Sequence, residues 1–207
     1  MKTKNKEIEE IKKKLKMVRE VFDKIVQILP SFDITDRKVL PYGLRPHTRS
    51  VSWIVEQVVV QQAKYHREKI GIYDLDFDWP DTCLHDCVIH IGKQKLFVNI
   101  KISDVRKKPS KNDIAAVEKL FYWYTRDPPY DLIYACFGIA FRPPITVEFV
   151  PGHLQVFSPQ FLPIYVNPRN DKIQALYEHQ PIYRTRKAFL NLLKRASHSI
   201  PPEEENG

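Results

Sequence analysis

Three residues at the open end of one predicted hairpin carry groups that suit metal-assisted phosphodiester cleavage. Asp86 precedes the apolar run Cys87-Val88-Ile89-His90-Ile91, and Asn99-Ile100-Lys101 ends the partner run Leu96-Phe97-Val98. Positions 86 and 99 are symmetric about the Gly92-Lys93 turn. An antiparallel hairpin therefore sets them opposite each other, with Cβ atoms ~5 Å apart. Asn99 and Lys101 are two residues apart and point to the same side of their strand. A carboxylate, a carboxamide and an ammonium thus converge on one patch. Asp86 can bind Mg2+, and the Asn99 oxygen can add a neutral ligand, since hard cations accept amide as well as carboxylate oxygen. Lys101 can steady or help deprotonate an attacking water and offset phosphate charge. The ion would act as a Lewis acid and lower the pKa of its bound water. Glu56, inside the preceding helix, could complete the metal shell.

Several elements have to position this patch. Ile8, Ile11, Leu15, Val18, Phe22, Ile25 and Leu29 recur at spacings of three and four, which predicts an amphipathic helix over 4–29, stopped by Pro30. It reads as a packing or dimer helix. A Pro- and Arg-rich connector fills 30–49. Ser50 is a candidate N-cap for a second helix, Val51 to about Arg67, apolar enough in its front half to lie against a sheet. Residues 70–82 read as an acidic loop. The hairpin strands are expected at Leu84–Ile91 and Leu96–Ser103, about a turn at 92–95. A third helix is expected at Ile114–Thr125, a buried strand at Leu132–Phe141, and further strands at Ile145–Val150 and Leu154–Phe157. Residues 158–168, with three prolines, read as irregular. Helices are expected near 171–178 and 182–196, and a disordered tail from 201 to 207. This order is a mixed α/β layout, a central β-sheet flanked by helices.

Bulk properties narrow the partners. The chain has 207 residues, enough for one domain, with 43% hydrophobic residues to build a core and a formal net charge of +8. A basic balance draws a protein toward polyanions, nucleic acid first and an acidic membrane surface second. No apolar stretch approaches the ~20 residues of a membrane helix, so a cytoplasmic protein is expected. Three cysteines, Cys83, Cys87 and Cys136, do not make a disulfide framework and read as reduced thiols. Only six glycines and no Gly-x-Ser-x-Gly argue against a P-loop, a Rossmann turn or a serine hydrolase. The cations Arg106, Lys107, Lys108 and Lys111, with Asn112, directly follow Lys101 and are placed to hold a DNA backbone. Arg45 and Arg49 precede the Glu56 helix and could reach a groove or a phosphate. Arg184, Arg186 and Lys187 read as solvent-facing, and Phe121-Tyr122-Trp123-Tyr124 as core.

The segment from Leu84 to Lys101 resembles the PD-(D/E)xK nuclease superfamily: a carboxylate before an apolar strand, a short turn, then an apolar strand ending in acid-x-Lys. The likeness spans about residues 50–141 and is greatest to type II restriction endonucleases, with Asn99 where most members carry an acid. It implies a restriction-endonuclease-like fold, Mg2+ as cofactor with Mn2+ substituting, and double-stranded DNA as substrate, while chain length makes the whole a single domain over 1–200 with a helical extension at about 1–49. It also implies a homodimer that cuts both strands at a specific sequence. Pro80-Asp81 offers a second alignment, in which Asp81 is the metal-binding carboxylate. Two other functions stay open: a structure-selective repair or junction nuclease, and a DNA-binding protein in which Asn99 marks reduced catalysis.

Overall fold

The structure is a computed structural model that describes residues 2–33, 48–80, 82–142 and 146–196. Its frame is a mixed sheet of seven strands. They are β1 (Phe32–Asp33), β2 (Asp74–Asp76), β3 (Cys87–Ile91), β4 (Gln94–Asp104), β6 (Leu132–Arg142), β7 (Thr146–Phe149) and β8 (Gln155–Phe157). The order across the sheet is β1-β7-β6-β4-β3-β2, with β8 also on β6. β4 and β6 run parallel and are the two longest strands, with Asn99 paired to Tyr134 and Lys101 to Cys136. A parallel pair needs a crossover. Here it is made by β5 (Asn112–Ala116) and helix α4 (Val117–Tyr124). A second, three-stranded sheet has the order β5-β10-β9, with β9 at Tyr165–Asn167 and β10 at Lys172–Ala175.

Side chains alternate between two cores. Cys87, Ile89, Val98, Ile100, Ile133, Ala135 and Phe137 face one core. There α1 (Lys2–Val26) contributes Val18, Phe22 and Ile25, α2 (Thr48–Tyr65) contributes Val51, Val55 and Val59, and the short α3 (Arg67–Ile70) contributes Ile70. The Phe22 ring meets Phe137 edge-on at 5.3 Å. The stripe of α1 therefore lies on the sheet from Val18 onward, while Ile8 and Ile11 pack on Phe161. The opposite face carries Val88, Phe97, Leu132 and Tyr134 under α4, α5 (Arg186–Ala196) and the small sheet. Asn99 and Lys101 share parity with Phe97 and lie on this second side.

Several expectations are corrected. Residues 112–116 are a strand, and the third helix is shortened to Val117–Tyr124. The expected helix at 171–178 is instead strand β10. The two strands take each other's backbone hydrogen bonds, with Ile173 opposite Ala115. Long-range pairing here outcompetes the local helical preference that Ala115, Ala116, Gln174 and Ala175 supply. Asp74–Asp76, expected as loop, is an edge strand opposite Val88–His90. Within the irregular 158–168 stretch lie a 3-10 turn (Pro159–Phe161) and β9. The last helix starts at Arg186, and α2 starts at Thr48, two residues before Ser50. Arg184 and Arg186 are not solvent-facing. The Arg184 guanidinium donates to the Leu162 carbonyl at 2.9 Å, and Arg186 donates to the carbonyls of Tyr124 and Arg126. No described helix is long and apolar enough to cross a membrane. The expected tail at 201–207 lies outside the described residues.

Candidate active site

The β3–β4 hairpin sets the geometry. Gly92 has φ of 57°, the left-handed conformation that a two-residue hairpin turn demands. The turn fixes the register as Ile91 opposite Gln94 and Cys87 opposite Val98. Asp86 continues the ladder, its N–H donating to the Val98 carbonyl at 2.9 Å, which brings it opposite Asn99. β3 begins only at Cys87, so Ile100, paired with Ala135 of β6 on one edge, has no strand partner on the other, where its N–H donates to Asp86 Oδ2 at 2.6 Å. Asn99 Nδ2 donates to the Leu84 carbonyl at 3.1 Å and reaches Asp86 Oδ1 at 3.4 Å. The predicted convergence of Asp86, Asn99 and Lys101 on one side of the hairpin is thus present. Tyr134, the β6 neighbour of Asn99, lies beneath them, with Lys101 Nζ 5.6 Å from its ring centroid.

Burial governs the electrostatics. The Asp86 carboxyl is pushed above its ordinary range, first by burial, against the opposing pull of the Lys101 ammonium and the Ile100 N–H. Burial, with weaker contributions from Tyr124, Asp86 and Tyr177, drives the Tyr134 phenol far up. Burial raises Cys136 to about 12, partly opposed by a Ser103 hydrogen bond and by Lys101. Neither group is an ionised nucleophile at neutral pH. The free thiols Cys83, Cys87 and Cys136 form no disulfide, and Cys87 is likewise raised by burial.

Asp86 opens into a cleft of about 280 Å³ that Glu56, Trp53, Phe77, Trp79 and His85 also line. Glu56 comes from α2, on the far side of the sheet. It reaches the same cleft because no strand separates the two sides before Cys87. The donor set can be tested for a cation. Asn99 is 6% exposed, and its Oδ1 is buried with no hydrogen-bond partner among the described residues. The Asn99 amide turns Nδ2, not Oδ1, toward Asp86, so the orphaned oxygen would join that carboxylate on a hard cation only once the amide rotates, while the Asp86 and Glu56 carboxylates suit Mg2+ as they stand. The residues therefore fit a divalent ion. Among the described residues no group of three or more His, Cys, Asp or Glu forms a metal cluster.

The predicted DNA contacts are dispersed differently. Arg106 is tied down: its Nε donates to Asp104 Oδ1 at 3.1 Å and its Nη1 to the Phe141 carbonyl at 2.5 Å. Burial favours the neutral form of Asp104, but Arg106 and Lys107 outweigh it and hold the carboxyl below its ordinary range. Lys107 lies 3.9 Å from the same carboxylate, and Lys108 is exposed. Lys111 caps the Tyr165 ring at 4.0 Å, and Asn112 starts β5, its Nδ2 donating to the Ser110 carbonyl. Lys107, Lys108 and Asn112 line a second hollow with Ser103, two residues beyond Lys101. Arg45, Asp81 and the Arg49 side chain lie outside the described residues.

Three cleft residues escape a reading from sequence. His85 is 6% exposed, and neither ring nitrogen has a hydrogen-bond partner among the described residues. Burial, helped by Arg126 and Lys95, lowers its pKa to about 4, so the ring is neutral at pH 7. Leaving such a group unpaired costs about 1–3 kcal/mol. Trp53, which reads as part of an apolar helix front, is 66% exposed, and Trp79 is 39% exposed. The available signal is parity: Trp53 falls off the Val51, Val55, Val59 stripe and stands three residues before Glu56.

With this geometry established, known proteins can be compared. No family model matches the chain, and no curated protein matches it by sequence. Among solved structures, the chain is similar to NlaIV restriction endonuclease, with a TM-score of 0.58 and 15% identity, covering 86% of this chain and 78% of that one. The fold is therefore restriction-endonuclease-like, a central mixed sheet flanked by helices.

Proposed function

We propose that the protein is a magnesium-dependent endonuclease that cuts double-stranded DNA at a specific sequence, acting as a homodimer in the cytoplasm. The observation that carries this reading is the Asp86–Asn99–Lys101 patch, in which Asp86 lines a cleft shared with Glu56 and the buried Asn99 Oδ1 has no partner among the described residues. The restriction-endonuclease neighbour supports it. Asp86, Asn99 and Glu56 would hold the Mg2+, or Mn2+ in its place, with Asp81 the second candidate for the principal carboxylate. When bound, the ion supplies Lewis acidity and an acidified water. Lys101 orients that water and offsets charge on the scissile phosphate. Lys107, Lys108 and Lys111, together with Arg45 and Arg49, contact the DNA backbone or grooves. Arg106 braces the loop that carries the first two lysines.

Plasmid incubated with the protein and Mg2+ is expected to yield discrete fragments on a gel. Lys101→Ala should lower the cleavage rate by about 100-fold or more while DNA is still bound. Normal cutting by that variant overturns the assignment. A second reading, a DNA-binding protein with reduced catalysis, draws on the absence of a third acid at Asn99. A mobility shift with no cutting at any Mg2+ concentration would select it. Structure-selective nicks without discrete fragments would select a repair or junction nuclease.

A further inference from the structure

The cleft beside Asp86 is built of more than metal-binding oxygens. Its volume, about 280 Å³, is several times the ~30 Å³ that a water occupies. Trp53 and Glu56 are three apart on α2 and stand side by side. Trp79 stands at the other wall, its indole N–H donating to the Asp76 carbonyl at 3.3 Å. Its ring packs against His85 at 4.9 Å, so the tryptophan covers the imidazole. His85 lines the cleft while 94% buried, and both ring nitrogens lack a partner among the described residues. Two exposed tryptophans share this one cleft, and a buried polar ring without partners needs a reason.

We propose that this cleft receives one unstacked nucleobase of the DNA, lying on Trp79 and Trp53, with the Trp79 ring turning onto the base and so baring to its polar edge the His85 nitrogens that Trp79, Phe97 and Trp123 now enclose. Aromatic faces accept any base, because every base has a π-face. An imidazole carries one donor and one acceptor nitrogen and can pair with a base edge, which likewise presents both. The neighbouring Asp86 patch would then act on a phosphate next to the extruded nucleotide. This inference rests on the nuclease reading and deepens it: the enzyme would favour DNA that gives up a base easily.

The test uses the full chain in Ca2+, which fills oxygen sites as Mg2+ does, and a short fluorescein-labelled duplex of mixed sequence. The same duplex opened at its centre by a few mismatched pairs is the comparison. The wild-type protein is expected to bind the opened duplex about tenfold more tightly, the effect of one stacked base. Trp53→Ala and Trp79→Ala should each erase that preference, and Trp79→Phe should keep it. Trp53 is exposed, so its substitution leaves the core intact; circular dichroism checks the Trp79 variants. Equal binding of both duplexes by the wild type, or a preference that survives both alanine substitutions, overturns the base cleft and leaves the nuclease reading standing. Failure of the wild type to bind or cut any DNA overturns both.

Discussion

At the scale of single residues, the site is a set of polar groups held under strain of solvation. Asp86 has a raised pKa because burial disfavours its charge, so ionisation at neutral pH works against folding. In the native state it holds its proton to higher pH than in the unfolded chain. Its stability contribution therefore falls as pH rises through the region just above the ordinary carboxylate value of 3.8. Asp86→Asn is expected to raise the urea midpoint at pH 7, with the gain shrinking as pH approaches 4. Mg2+ should stabilise the wild type but not this variant, since an ion bound only to the native state stabilises it by mass action. Asn99→Asp sharpens the same test. Without metal it places a second charge against Asp86 and the Leu84 carbonyl and should cost on the order of 2 kcal/mol. Added Mg2+ should recover most of that loss in a thermal melt. His85 behaves oppositely to Asp86. Its folded pKa of about 4 lies below its ordinary 6.5, so the unfolded chain binds more protons between those values. Stability should drop as pH falls from 6.5 toward 4, by up to about 3 kcal/mol, and His85→Phe should flatten that slope in urea titrations.

At the scale of elements, the hairpin works because neighbouring strands over-determine it. β4 is held by β3 on one edge and by β6 along eight residues of the other. Gly138 in β6 shows how tight this frame is. Its N–H donates to the His153 carbonyl and its own carbonyl accepts from Val150, bridging the gap between β7 and β8. A Cβ there would sit 2.4 Å from the His153 Cβ and 2.8 Å from Val105 Cγ1. Gly138→Ala should destabilise the protein by about 1–3 kcal/mol, read as a lower denaturation midpoint, without touching the site directly. The crossover between β4 and β6 carries Lys107 and Lys108, so the same connection that makes the parallel pair possible also carries the candidate backbone contacts beside Lys101.

At the scale of the whole molecule, the charge of +8 is distributed unevenly relative to the site. The cleft at Asp86 is acidic, while Lys107, Lys108 and Lys111 follow the C-terminal end of β4. That arrangement suits DNA whose backbone is held by lysines while a metal neutralises the carboxylates. Binding should weaken with salt, and each lysine that neutralises a phosphate contributes about 0.9 to the slope of log K against log salt. Lys108→Ala should lower that slope by about one without changing sequence preference, whereas Arg106→Ala should act through stability, since its guanidinium holds Asp104 and the Phe141 carbonyl.

Local pattern alone determined the hairpin that carries the candidate site. Alternation of apolar residues, a glycine able to take positive φ and two runs symmetric about it leave one register, and that register brings Asp86 to Asn99 and turns Lys101 to the same side. The stripe of α1 was legible for the same reason: a helix repeats every 3.6 residues whatever it packs against. Only the tertiary structure decided that 112–116 and 172–175 are strands, because their hydrogen-bond partners lie about 60 residues apart in the chain and no local propensity encodes that pairing. It also decided that Arg184 and Arg186 bind backbone carbonyls and that Trp53, His85 and Trp79 share one cleft with Glu56 and Asp86. Those contacts depend on where separate elements come to rest, which is a property of the packed whole.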